Sequence, residues 1–441
     1  MANTKPMAKA VAISSLLSAM GIAVPYNAMA ADTLEGALKE STAKLSLRPR
    51  YEKVEAEALA TGTESSSEAA TLKTRLTFTT GSFYDVSAVL EFDDVTSLKS
   101  VDYNDGAGNG GDNPPIVDPE GTEVNQAYLS FKGLSDTDFK WGRQRILLDN
   151  QRFVGGVGWR QNEQTYDAFS VGNTSIPGLT AFYANISNVN RIFGEQATED
   201  KVPVSNLGDH SHETNLVNVG YEFKGIGKLS GYYYDIDNED GVVLSNRTMG
   251  LRFAGATDLD AIKVAYELEW ADQEDTGDAP VDYSADYTLI SVMGTMSGFS
   301  LGIAQEVLGG DTGAETIATG ADAQKGFTTS LATLHKFQGW ADVFLATPGT
   351  GIEDMYVTFK AGLPMGMTFI AVYHDFESSE DVADGFSSDF GSEIDVALTK
   401  KFSNGATLQL KYADFSGEED AAYGNATSDV SKLWFTATYA I

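Results

Sequence analysis

From Lys432 to Ile441 the chain reads KLWFTATYAI. Leu433, Phe435, Ala437, Tyr439 and Ile441 fall on one side of an extended chain, and Lys432, Trp434, Thr436 and Thr438 fall on the other. Successive side chains of a strand point to opposite faces, so the segment is apolar on one face and polar on the other. A strand that crosses a bilayer with water behind it has to alternate in this way.

The pattern recurs. Ile262, Val264, Tyr266, Leu268 and Trp270 alternate with Lys263, Ala265, Glu267 and Glu269. Leu45, Leu47, Pro49 and Tyr51 alternate with Lys44, Ser46, Arg48, Arg50 and Glu52, and Leu72, Leu76 and Phe78 with Lys73, Arg75 and Thr77. Val86, Ala88, Leu90 and Phe92 oppose Asp85, Ser87, Glu91 and Asp93, and Leu408, Leu410 and Tyr412 oppose Thr407, Gln409 and Lys411. Each segment is about ten residues, the length a tilted strand needs to cross a membrane. About eighteen such segments fit the chain, an even number, as expected when both ends of a bacterial barrel lie in the periplasm.

The connections alternate too. Short turns at Gly81 to Phe83, Gly133 to Asp136, Lys224 to Gly227 and Gly362 to Gly366 are interleaved with long links over 95–122, 146–164, 189–211, 272–284, 309–351, 377–390 and 416–430. Short periplasmic turns and long extracellular loops mark an all-β transmembrane antiparallel β-barrel. A soluble sandwich would hide its apolar face in a core and would not need arginines and glutamates on the second face of strand after strand. No linker or change of composition divides the chain into domains.

The N-terminus points the same way. Lys5 and Lys9 precede an apolar run from Ala10 to Val24, followed by Ala28-Met29-Ala30. This is the three-part pattern of a secretory signal peptide over residues 1–30, and the run is too short for a membrane anchor. Cleavage before Ala31 leaves 411 residues and moves the net charge from −33 to −35. Residues 31–43 are then a periplasmic lead-in to a single barrel domain over 31–441. The absence of cysteine excludes thiolate metal sites and cysteine nucleophiles.

The acidity is placed unevenly. The links 95–122, 272–284, 377–390 and 416–430 hold 19 acidic residues against Lys99 alone, so they carry 18 of the 33 excess negative charges. An acidic outer rim argues against nucleic-acid binding, which needs basic patches. Against it stands GRQRILLDNQRFVGGVGWR, from Gly142 to Arg160, in which Arg143, Arg145, Arg152 and Arg160 face a single acid, Asp149. Guanidinium groups stay charged and fork onto carboxylates, so arginines at a constriction attract carboxylated solutes. Arg48, Arg50, Lys73 and Arg75, on the polar faces of the first strands, extend the basic track. The other role open to these side chains is bracing, through Glu91, Asp93, Asp149, Glu163 or Asp167. Gly155, Gly156 and Gly158 permit the tight backbone of a loop folded into the pore.

The run Gly142-Arg143-Gln144-Arg145, then Gln151 to Gly155, then Trp159-Arg160-Gln161-Asn162-Glu163-Gln164-Thr165-Tyr166-Asp167 resembles the signature of the alginate-export family of outer-membrane porins. Ser245 to Arg252, Leu331-Ala332-Thr333 to His335, and Gly339-Trp340-Ala341-Asp342 leading through Phe344-Leu345 to Thr347-Pro348 and Asp354 extend the similarity over nearly the whole mature chain. The resemblance implies an eighteen-stranded monomeric barrel whose arginine-lined constriction passes an anionic polysaccharide or related anions. It makes Arg143, Arg145, Arg152 and Arg160 the positive pore lining. The chain ends on Ile441 where barrels usually end on an aromatic residue, although Phe435 and Tyr439 keep the alternation.

Expected partners are therefore outer-membrane lipid and lipopolysaccharide of a Gram-negative bacterium, periplasmic chaperones, the barrel-assembly machinery and an anionic cargo. No cofactor is expected. Weak calcium candidates lie at Asp235, Asp237 and Asp240, in a stretch out of register with an EF-hand, and at Asp102 to Asp112. His210 and His212 are two apart but have no third histidine or cysteine ligand nearby. An enzymatic barrel would need a hydroxyl nucleophile beside a placed histidine, a role open to His335 and His374. Two further readings are a general porin of little selectivity and a barrel plugged by its long link 309–351, folded inward or over the mouth, that serves at the cell surface or in adhesion.

Overall fold

The computed structural model describes residues 33–99 and 103–441. The signal-peptide reading of residues 1–30 lies outside the described residues. A short helix, α1 (Leu34–Lys39), precedes the first strand, so the lead-in is partly helical and the wall begins at Thr42.

Among the described residues eighteen antiparallel strands form one sheet. They are β1 (Thr42–Ala58), β2 (Thr63–Thr79), β3 (Val86–Ser97), β4 (Gly121–Phe131), β5 (Thr137–Gln144), β6 (Thr165–Asn173), β7 (Leu179–Asn190), β8 (Asp209–Phe223) and β9 (Gly227–Ile236). The second half comprises β10 (Asn246–Leu259), β11 (Ile262–Glu274), β12 (Ser284–Met296), β13 (Phe299–Leu308), β14 (Ile352–Leu363), β15 (Met367–Glu377), β16 (Asp389–Lys401), β17 (Thr407–Ser416) and β18 (Ser428–Ala440). Each strand pairs with the next, and β18 returns to β1 in a ladder from Ser46 opposite Ala440 to Ala58 opposite Ser428. The sheet is therefore a closed barrel, which leaves no unpaired backbone edge in the membrane.

The two faces follow the sequence alternation. Trp141 is 69% exposed and Leu301 62% exposed, and Leu268, Trp270, Ile290, Leu410 and Phe435 also lie open on the outer, lipid-facing side. Their strand neighbours point inward: Glu52 and Trp434 have no exposed surface, and Asp93, Glu269 and Lys411 are buried. This arrangement removes the soluble-sandwich alternative, since the apolar face is on the outside of a closed ring.

Eight turns of two to six residues close one end of the barrel, and nine longer or protruding links close the other. Seven of those nine match the links read from the sequence. The two missed are 237–245 and the tip 59–62 of the β1–β2 hairpin. Both of that hairpin's strands are 17 residues long and run beyond the membrane, where outward Glu55, Glu57 and Glu64 replace the apolar alternation. Such a polar hairpin has no hydrophobic period to read.

A second apolar zone lies inside the ring. Phe153, Phe327, Leu331 and Phe344, carried by the links after β5 and β13, pack against wall residues Tyr166, Tyr232, Tyr287, Phe376 and Phe415. Burying such a side chain contributes about 1.5–3 kcal/mol, enough to hold an inward-folded loop against its entropy. On the outer face, Ile290 sits at the centre of β12 and meets lipid. Ile290→Arg is expected to lower stability by about 2–4 kcal/mol, the cost of a guanidinium near the bilayer midplane, measured by denaturant unfolding from lipid vesicles.

Candidate functional site

The link 145–164 crosses the lumen. Near its start Asp149 accepts hydrogen bonds from Asn218 on β8 (2.6 Å) and Ser230 on β9 (3.0 Å), and Asn150 donates to Glu267 on β11 (2.9 Å). Near its end Arg48 of β1 donates to the Gly158 carbonyl (2.8 Å) and to that of Arg160, and Arg160 pairs with Glu52 of β1 (3.0 Å). β9 and β11 lie across the ring from β1, so the segment is a bridge.

The link 309–351 supports it. Gly155 N donates to Leu331 O (2.8 Å), Thr333 N to Gln151 O (3.0 Å), and the Gln164 amide to Leu331 O (3.0 Å). A side chain at Gly155 would place its Cβ 2.2 Å from the Thr333 hydroxyl, which is why a glycine is needed there. The inward loop expected from Gly155, Gly156 and Gly158 is thus present, braced by a second loop.

Around the bridge the charges form three groups. In the first, Arg75 forks onto Asp93 (2.5 and 2.6 Å) and reaches Glu163 (2.8 Å), while Arg145 bonds Glu163 (2.5 Å) and Glu91. Lys73 lies 3.6 Å from Asp93 and 3.7 Å from Glu163. Burial opposes ionisation of Glu163, yet Arg145, Arg75 and Lys73 hold its carboxyl well below the usual range. Arg48 stands directly across the β1–β2 ladder from Lys73. Like charges so placed repel. Arg48 forms no ion pair among the described residues, and its donors end on Gln161 (2.9 Å) and the two carbonyls.

The second group holds both loops to the wall. Asp342 receives Lys432 of β18 (2.9 Å), Arg160 (3.3 Å) and His335 Nδ1 (2.6 Å), and Lys411 of β17 donates to His335 Nε2 (2.6 Å). The Lys411 ammonium lies 3.7 Å from the Trp340 ring centre, 4.2 Å from that of Trp159 and 5.3 Å from that of Trp434. Burial disfavours the charged carboxylate of Asp342, but its cationic neighbours keep its pKa well below the usual range. Arg50 stacks on Trp159 at 4.2 Å and approaches Asp118 to 3.7 Å. Asp118, expected on the acidic outer rim from its place in link 95–122, is buried in the lumen, where it accepts from Gln161 N (2.8 Å).

The third group lies apart from the first two. Arg152 is 1% exposed, pairs with Glu306 of β13 (2.8 Å) and bonds Gln338 (2.8 Å). Arg143 pairs with Asp167 (2.9 Å) on the face shared by Trp141 and Phe169, which is the outer face of the wall. The positive phi of Gly142 lies just before it. The expected pore lining is thus divided: Arg48, Arg50, Lys73, Arg75, Arg145 and Arg160 converge inside, Arg152 is sealed against the wall, and Arg143 points outward. Lys411, Lys432 and Asp342 complete the cluster and were not singled out. Lys411 and Lys432 were legible as polar-face positions of their strands, and Asp342 as part of the Gly339 to Asp342 motif.

The minor candidates find other partners. Asp235 pairs with Arg247 (3.4 Å) and accepts from Thr276 (2.9 Å), Asp240 accepts from Ser211 N (2.6 Å), and Asp237 lies close against Gly277. Among the described residues no group of three or more His, Asp or Glu side chains is placed to hold a metal ion. His374 Nδ1 bonds both oxygens of Asp354 (2.9 and 3.0 Å), and His335 is saturated as described, so neither histidine addresses a hydroxyl nucleophile.

Two outcomes follow from these contacts. Arg152→Met leaves Glu306 buried without its cation, and about 3–5 kcal/mol of loop-docking stability is expected to be lost; limited proteolysis should then cut link 145–164 while the barrel stays intact. His335 is neutral, because burial, aided by Lys411, pushes its pKa down to about 3 despite Asp342. An unfolded histidine titrates near about 6.5, so the contribution of His335 is complete above that pH and is lost as pH falls towards 3. Imidazole NMR should show no protonation of His335 down to about pH 4, and a titration near 6.5 would refute the assignment.

Known proteins resemble the chain at two levels. The alginate export family model matches residues 40–289, more than half of the chain. Among solved structures, OpdK of Pseudomonas aeruginosa, crystallised with vanillate, superposes with a TM-score of 0.68 at 13% identity, covering 92% of this chain and 100% of its own. OccK5 (OpdH) of the same organism gives 0.66 at 14% identity over 92% and 99%, and OccD3 (OpdP) gives 0.65 at 14% identity over 93% of each. At such identities the likeness is one of fold, that of an outer-membrane protein barrel. Comparison with curated proteins finds none that matches. The closed eighteen-stranded barrel and the family match together make this chain a member of the alginate export family, a channel of the Gram-negative outer membrane and not an enzyme.

Proposed function

We propose that the channel passes anionic solutes, with uronic-acid oligosaccharides or polysaccharides as the cargo class. The observation that carries this reading is Arg48. The residue is half-buried in the lumen, its guanidinium faces Lys73 across the ladder, and it has only neutral acceptors. Lys73, Arg75 and Arg145 already match the three carboxylates Glu91, Asp93 and Glu163, and Arg48 adds a fourth cation beside them. The surplus charge sits on a half-buried side chain of the lumen, and a carboxylate arriving there gains charge-assisted bonds. The side chain of Arg145 is 26% exposed and is the second contact. Arg50, Lys73, Arg75 and Arg160 brace the site and supply its field.

The family match supports a polyanionic cargo. The vanillate bound by OpdK, a carboxylate held by a protein of the same fold, supports small anions as an alternative. A separate reading, a barrel closed by its own loops, draws on the apolar packing of links 145–164 and 309–351 in the lumen.

In a planar bilayer the purified protein is expected to show discrete anion-preferring conductance steps reduced by uronic-acid oligomers. Arg48→Ala should weaken that block about fivefold, the equivalent of about 1 kcal/mol for a charged hydrogen bond partly open to water. Cation preference with no effect of the oligomers would remove the cargo assignment. Absence of any conductance would support the loop-closed barrel.

A further inference from the structure

The long-link rim and the inner surface of the wall near the short turns carry opposite fixed charge. At the long-link end, 237–245, 275–283, 378–388 and 417–427 hold twelve carboxylates and no lysine or arginine. At the short-turn end, Lys44, Lys140, Lys228, Lys263, Lys360 and Lys401 occupy inward positions of their strands. Their parity is that of buried lumen residues: Lys44 is in step with Arg50 and Glu52, Lys360 with Asp354 and Thr358, and Lys401 with Asp395 and Ala397. Three carboxylates, Asp138, Glu222 and Asp258, share that inner surface. The eight short turns add three carboxylates and two lysines, and Glu35, Lys39, Glu40 and the carboxylate of Ile441 also lie at this end, so the positive surplus belongs to the inner surface of the wall, six lysines against three carboxylates. Lys44, Lys263, Lys360 and Lys401 form no ion pair among the described residues within 4 Å, while Lys140 and Lys228 have only long ones of 3.9 and 3.7 Å.

The two zones are far apart on the electrostatic scale. They are separated by a hydrocarbon thickness of about 30 Å, whereas the screening length is about 10 Å at 0.1 M salt and 3 Å at 1 M. At low salt each zone therefore gathers its own counter-ion: anions in the inner vestibule, cations at the outer mouth.

From this we infer that the pore rectifies, carrying anions more readily from the periplasmic to the extracellular side than in the reverse direction. When the field drives anions outward, anions from the basic zone and cations from the acidic zone move towards each other and accumulate in the middle of the pore. Conductance rises. When the field is reversed, both carriers are drawn out of the middle and it is depleted. The inference rests on the proposed anion conduction and adds a direction to it: the acidic rim repels returning anions, and the lysines collect departing ones.

The test uses the full mature protein inserted from one side of a planar bilayer. Because the chain has no cysteine, a Thr319→Cys substitution on an exposed stretch of link 309–351 lets an impermeant thiol reagent report which way the barrel faces. In 0.1 M KCl the current is expected to be at least about twofold larger when anions are driven outward, and the asymmetry should vanish in 1 M KCl, where screening is complete over a few Å. Lys44→Glu with Lys360→Glu, which reverses charge at the inner mouth, should abolish the asymmetry while single-channel steps persist. A linear current–voltage curve at 0.1 M in a pore that still prefers anions, or rectification of the opposite sign, overturns the inference and leaves anion conduction standing. Absence of channel steps overturns both.

Discussion

Within the hydrocarbon layer no water is available to a backbone N–H or C=O, and each such group left alone costs several kcal/mol. The ladder between β1 and β18 answers that constraint, because it closes the sheet and leaves no edge at membrane depth. The rest of the molecule depends on this closure. A closed sheet has one face to lipid and one to the lumen, so every strand must alternate, and the apolar residues of Trp141, Leu301 or Phe435 type become surface rather than core. Helices play almost no part, and no described helix is long and apolar enough to span the membrane.

Closure also makes an enclosed interior whose charges cannot all be solvated. There the strands set carboxylates and cations against one another, and the two long links thread between them. Asp342 ties a lysine, an arginine and a histidine together, and Glu163 ties two arginines and a lysine. Each anion is stable as an anion because several cations surround it, and each loop is fixed because its carboxylate is needed there. Arg48 breaks the pattern. A cation opposite another cation, bonded only to neutral groups, is what a structure tuned solely for stability would avoid.

The apolar packing of Phe153, Phe327 and Phe344 inside the ring has a related cause. An ion-paired loop alone would exchange with water, since such pairs are screened and contribute little when wet. Anchoring the same loops with aromatic side chains, and stacking Trp159, Trp340 and Trp434 around Lys411, keeps the charged groups in a low-dielectric setting where their geometry persists.

Much of this was legible in the sequence, because a membrane strand is specified by a period of two that any single segment displays. KLWFTATYAI, the segment at Ile262 to Trp270 and the alternation of short and long links determine a barrel of about eighteen strands, and all six alternating segments have the face assignments that their sequence implied. The glycines at 155, 156 and 158 and the four arginines marked the loop that enters the lumen. Which charge meets which was not legible, since the partners of Arg160 are 108 and 182 residues away and those of Arg75 sit on another strand and in a distant link. The outward turn of Arg143, the sealing of Arg152, the inward passage of Asp118 and the joining of two loops through Asp342 are decided by where closure brings strands and links together in space. Local periodicity tells each residue whether it faces lipid or lumen; only the closed ring settles which lumen residue it faces.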